Sequence, residues 1–204
     1  MSLAVASVAI LVGCASEAPR TAADSQAAHV AAVVAAGGTV DSILPIAEQL
    51  RRFRDNLPVA DTLRHGADSR DGLIRQFLQA VAAKDSATLN QLVVDRAEFA
   101  YLYYPTAAIS KPPYEAPPQL LWGQILTASD EGISRLLTRV GGKRLSLDAV
   151  ACTQPPTVED RNTLHEKCEI MVRIDAAPSS RERWFGTIIE RDGRFKFIGY
   201  SNAL

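Results

Sequence analysis

The sequence predicts an α+β domain in which helices pack on an antiparallel sheet. Three observations point there. Apolar residues recur at helical spacing up to Val140, strand-like runs fill the remainder, and Asp192-Gly193 between the last two runs is a two-residue hairpin signal. A chain of 204 residues, 47% hydrophobic and 22% charged, can bury one core and is tight for two.

From Asp41 the apolar residues Ile43, Leu44, Ala47, Leu50 and Phe53 share one helical face, and Asn56 to Pro58 close the segment. Asp68 or Ser69 caps a second helix over Arg70 to Lys84, whose stripe is Leu73, Ile74, Phe77, Leu78 and Val81. Asp85-Ser86 starts a shorter helix with Leu89, Leu92 and Val93. Ala97 to Tyr104 is aromatic and halts at Pro105, which reads as a strand or an extended lead into a proline-rich loop ending at Pro118. Helix resumes over Leu120 to Leu126 and over Ser129 to Val140, and Gly141-Gly142 closes it.

Four strands are expected after that: Arg144 to Cys152, Lys167 to Asp175, Arg183 to Arg191 and Arg194 to Ser201. A two-residue turn pairs Ile188 with Phe197 and Glu190 with Phe195, with Trp184 on the same face. The opposite face still carries Phe185, Ile189, Ile198 and Tyr200, too apolar to meet water. Its cover is expected from a second subunit, the N-terminal helix or the proline loop.

Lys+Arg 22 against Asp+Glu 23 leaves a net charge of -1, with no basic excess to neutralise phosphates, which argues against nucleic acid as a partner. No phosphate loop or dinucleotide fingerprint occurs, and no cofactor is implied.

Residues 1–13 are uncharged and apolar from Leu3 to Val12, too short a run to span a bilayer. Leu11, Val12, Gly13 and Cys14 resemble the lipobox of bacterial lipoproteins. That resemblance implies a signal peptide over 1–13, lipidation of Cys14, and a cell-envelope location, with Ala15 favouring the periplasmic face of the outer membrane. Residues 14–41, rich in alanine, then read as a tether, and 42–204 as the single α+β domain. The two remaining cysteines, Cys152 and Cys168, are expected to form a disulfide in such a compartment. Two free thiols, or a metal held by Cys152, His165 and Cys168, are the alternatives, the latter lacking a fourth ligand at zinc-like spacing.

The order of elements, and the stretch Phe77 to Val93, FLQAVAAKDSATLNQLV, are similar to the nuclear-transport-factor-2-like superfamily, which includes ketosteroid isomerase and polyketide cyclases. The resemblance implies a cone-like fold, with helices packed on a curved four- to six-stranded antiparallel sheet. In the isomerases it further implies a tyrosine oxyanion donor and an aspartate base. This chain has Phe77 and Tyr101 or Tyr104 at those places, and a phenyl ring cannot donate to an enolate.

Tyr101, Tyr103, Tyr104, Tyr114 and Trp122 form an aromatic concentration beside the proline loop, suited either to a small apolar or amphipathic ligand or to core packing. Arg135 and Arg139, one helical turn apart, could clamp an anion with Arg173 or Arg183, or simply line an exposed face. Asp95 and Glu98 are a candidate carboxylate pair, although such residues near a helix end are more often solvated. The expectation is a lipid-anchored envelope protein with a non-catalytic ligand-binding or protein-interaction domain. Its partners are the membrane, a small ligand, and a second copy or another envelope protein. The alternative is a small hydrolase or isomerase using Asp95 or Glu98.

Overall fold

The computed structural model describes residues 22–38 and 44–201. Leu11 to Cys14, with the expected leader and lipidation site, lie outside the described residues. The chain divides into two compact units, residues 1–43 and 44–204. In the first, part of the segment read as a tether is helical, over Ala22–Ala35 (α1). The left-handed Gly37 lets the Gly38 N–H reach the Val33 carbonyl at 2.9 Å and ends the helix.

The second unit is α+β, with two antiparallel sheets in place of one. Its helices are α2 (Ile46–Phe53), α3 (Arg70–Ala83), α4 (Ser86–Leu92), α5 (Arg96–Glu98) and α6 (Pro118–Val140). Ser69 caps α3 through the Gly72 N–H, and Asp85 caps α4 through the Thr88 N–H, so each short polar side chain satisfies a free helix donor. The two helical stretches expected on either side of residues 127–128 are one continuous α6.

One departure lies at Ala97 to Tyr104, which is helical rather than extended. Asp95 and Glu98 form a reciprocal capping box that starts α5, and a π-helix follows over Phe99–Tyr103, where the Tyr104 N–H bonds Phe99 O at 2.8 Å. The wider turn lets Phe99 contact Tyr103, Tyr104 and Trp122 at 5.1–5.9 Å between ring centres.

Strands β1 (Leu145–Cys152), β4 (Cys168–Ile174) and β5 (Ser180–Glu182) form one sheet in the order β1-β4-β5. A bulge at Asp148 shifts the β1 register, and Cys152 lies opposite Cys168 in the ladder, where the two form a disulfide. The other sheet runs β2 (Thr157–Glu159), β3 (Asn162–His165), β6 (Ile188–Arg191), β7 (Arg194–Phe197). The expected pairs Ile188 with Phe197 and Glu190 with Phe195 are present around the Asp192-Gly193 turn, both residues of which have positive φ. Strands β2, β3 and β5 were not expected. Residues 183–187 leave the expected third strand.

Both faces of the β6–β7 hairpin are covered by the chain itself. Ile188, Phe197, Trp184, Phe185 and Tyr200 join α3, α4 and α6 in one core, with Phe77 stacked on Tyr200 and edge-on to Phe185. Ile189 and Ile198 face a second core built by Phe53 of α2, Phe99, Leu102, Tyr104 and Trp122. The apolar second face is therefore closed by α2 and the π-helical turn. Phe185 and Tyr200 belong with the first core because the chain leaves regular strand geometry on either side of the hairpin.

Candidate functional site

A cleft of about 610 Å³ opens beside α6. One wall comes from Leu121, Ile125 and Ala128 of α6, the facing wall from Leu164, Phe185 and Ile198. These make an apolar floor. Around it stand Tyr103 from the π-helix, Glu159 from β2, Glu166 and Lys167 from the bend before β4, and Arg183. Glu159 Oε1 accepts from the Ala108 N–H at 3.0 Å, while its Oε2 is buried without a donor. Burial pushes the Tyr103 hydroxyl up to about 12, with the Glu159 and Glu166 carboxylates adding to the shift, so it remains a protonated donor at neutral pH.

Beyond Ile125 and Ile198, which line both spaces, lies a smaller cavity of about 100 Å³. Leu89, Val93, Trp122, Ile133 and Leu137 make it mostly apolar. At Gly199 the chain runs close beside α6, where a Cβ would make ordinary contact with Ile125 Cγ2 at 3.5 Å and Ser129 Cβ at 3.6 Å. Ser129 Oγ accepts the Tyr200 N–H at 3.0 Å and fixes the chain against the helix.

The residues singled out from the sequence fall in several places. Tyr103 lines the cleft and Trp122 the inner cavity. Tyr104 is buried, its hydroxyl donating to Ala116 O at 2.7 Å, and burial with the Glu115 charge raises its pKa. Tyr101 carries the Arg54 guanidinium 4.5 Å above its ring. Tyr114 is 70% exposed. Arg135 neighbours Glu131 at 3.6 Å, Arg139 neighbours Glu182 at 3.8 Å and Arg173 donates to Asp148 at 3.2 Å, whereas Arg183 stands at the cleft.

Asp95 and Glu98 occupy a structural joint. Glu98 is wholly buried rather than solvated. Its carboxylate takes the Lys196 ammonium at 2.8 Å, the Arg64 N–H at 2.6 Å and the Asp95 N–H at 2.9 Å, leaving little acceptor capacity for a substrate. Asp95 is held by the Glu98 N–H and by Arg64.

Cys152 and Cys168 being joined, His165 instead meets Glu190, Nε2 to Oε2 3.0 Å. Among the described residues no group of three or more His, Cys, Asp or Glu is placed to hold a metal ion, and no helix is long and apolar enough to cross a membrane. Of the rim charges Arg183 was a candidate from the sequence; Glu159 escaped because β2 is only three residues long, and Glu166 and Lys167 because they lie in the bend between the short β3 and β4. The signal was the short apolar-polar alternation on either side of Asp160-Arg161.

No family model, curated protein or solved structure matches the chain.

Proposed function

We propose that this chain is a lipid-anchored bacterial envelope protein, attached through Cys14 at the periplasmic face of the outer membrane, whose α+β domain binds a small amphipathic ligand without transforming it. The cleft carries this reading: an apolar floor rimmed by two acids, two bases and a phenol is suited to holding an amphipathic molecule. The lipobox resemblance supplies the anchor, and the disulfide fits an oxidising compartment. Against the hydrolase or isomerase alternative, Glu98 and Asp95 serve a buried ion pair and a helix cap, and neither lines the cleft.

Two measurements test it. In a bacterial host fed a palmitate analogue, the chain takes up label and Cys14→Ser does not; label on the variant, or none on the parent, overturns the anchor. Native mass spectrometry of the full chain, released from the envelope without organic extraction, shows a reproducible small-molecule adduct. A clean apo protein overturns the binding reading. Turnover of any substrate that Asp95→Asn or Glu98→Gln abolishes would replace it with the catalytic one.

A further inference from the structure

Two features of the cleft remain unexplained by a generic small ligand. The first is its division. Ile125 and Ile198 line both the charged cleft and the smaller cavity, so two aliphatic side chains alone are shared by the two spaces; the smaller one is apolar at Leu89, Val93, Ile133 and Leu137 and polar at Ser86, Asn90 and Asp130. A chamber of about 100 Å³ is smaller than the apolar cavity of roughly 150 Å³ that accommodates benzene, and suits a narrow alkyl segment better than a ring.

The second is charge. Glu166, Lys167 and Arg183 make no side-chain hydrogen bond or ion pair among the described residues, and Glu159 leaves one buried oxygen without a donor. Among the described residues several acids and bases elsewhere on the domain are paired, as Arg173 is with Asp148, Arg181 with Glu169 and Arg161 with Asp192, while others such as Arg75 and Lys111 are not; the cleft differs in gathering charges of both signs round one apolar space. Charges of both signs are thus left open at one mouth. A ligand with one sign would satisfy half of them and be repelled by the rest.

Building on the binding reading above, we propose that cleft and cavity are one site for a single-chain amphiphile with a two-sign head group. Its tail passes Ile125 and Ile198 into the inner cavity. Its primary ammonium donates to Glu166, with the Glu159 carboxylate adding its charge from behind, and its phosphate meets Lys167 and Arg183. The Tyr103 hydroxyl supplies a neutral donor beside the two acids.

The probes are alkyl phosphoethanolamines of six to fourteen carbons, kept below micelle formation, with alkylamines and alkyl phosphates of the same lengths as single-sign comparators. Calorimetry on the full chain should show the two-sign head binding about tenfold tighter than either comparator, and affinity that rises with chain length and then levels. Ile125→Trp, which fills the passage, removes the length dependence and keeps the head preference. Lys167→Glu with Arg183→Glu shifts preference to the alkylamine; both positions are exposed, so this pair carries the test should Ile125→Trp lose its fold.

Equal binding of the three heads, or a length dependence that Ile125→Trp leaves intact, overturns the proposal while the cleft stays a binding site. A native adduct of another chemical class, with no amphiphile bound, does the same. No amphiphile and no adduct overturns both readings.

Discussion

Lys196 on β7 donates to the Glu98 carboxylate at 2.8 Å with both side chains out of solvent, joining the last strand to the short helix before the π-helical turn. Breaking such a pair strands a buried charge. Lys196→Ala should therefore cost about 3–5 kcal/mol in urea unfolding. Glu98→Gln with Lys196→Met should recover much of it, because removing both charges removes the desolvation cost as well. A double variant no more stable than Lys196→Ala would show that the carboxylate serves Arg64 N and Asp95 N more than it serves Lys196.

Asp95 links the same joint to pH. Burial works against its charge, but the Glu98 N–H and the Arg64 guanidinium, with Lys196 further off, more than offset this and hold the carboxyl below its ordinary range. A lowered folded value means stability that is present above the unfolded value, about 4, and is lost as pH falls through the folded one. Asp95→Asn keeps the cap acceptor without the charge. Its deficit, a few tenths to about 1 kcal/mol at neutral pH given the half-exposed site, should shrink as pH drops below about 4. Paired denaturation curves across that range check the sign.

Asn162, wholly buried, donates through Nδ2 to Leu102 O at 2.7 Å and Thr106 Oγ1 at 2.9 Å, and accepts from Arg191 at 2.9 Å. It stitches the end of the π-helix to β3 and β6. Asn162→Leu leaves a carbonyl and a guanidinium unpaired, and should cost about 2–4 kcal/mol in thermal or chemical unfolding. Faster amide exchange across residues 99–106 should accompany it.

The Tyr103 hydroxyl is held near 12 by burial first and by Glu159 and Glu166 after that. Glu159→Gln with Glu166→Gln should lower its titration midpoint and still leave it above the ordinary phenol value of about 10. The difference in absorbance titration between each protein and its Tyr103→Phe counterpart isolates this one residue. A midpoint that ignores both glutamates would place their carboxylates away from the hydroxyl.

Elements with their own local signals were legible. Ser69 followed by the Leu73, Ile74, Phe77 stripe marks α3, and Asp192-Gly193 marks the last hairpin, because cap, period and turn chemistry all act within a few residues. Ala97 to Tyr104 was misread because its aromatics favour strands, whereas the Asp95 and Glu98 side chains three residues apart were already a helix-start signature. The burial of Glu98 rests on Lys196, 98 residues away, and no local pattern reports such a partner. The cleft was only half legible for a related reason. Tyr103 belongs to a visible aromatic run, but Glu159 reaches it on a strand too short to show a period, and Glu166 and Lys167 reach it from the bend between β3 and β4.

The Cys152–Cys168 bond closes a covalent ring whose chain passes through both strands β2 and β3. Glu159, Glu166 and Lys167 sit within that ring, so three of the four charges at the mouth are threaded on one closed loop. The bond thereby braces the rim of the cleft as well as the fold. The β3–β6 ladder and the Asn162 hydrogen bonds hold the middle of this loop, and the disulfide ties its two ends together, so reduction loosens the ends while the ladder stays in place.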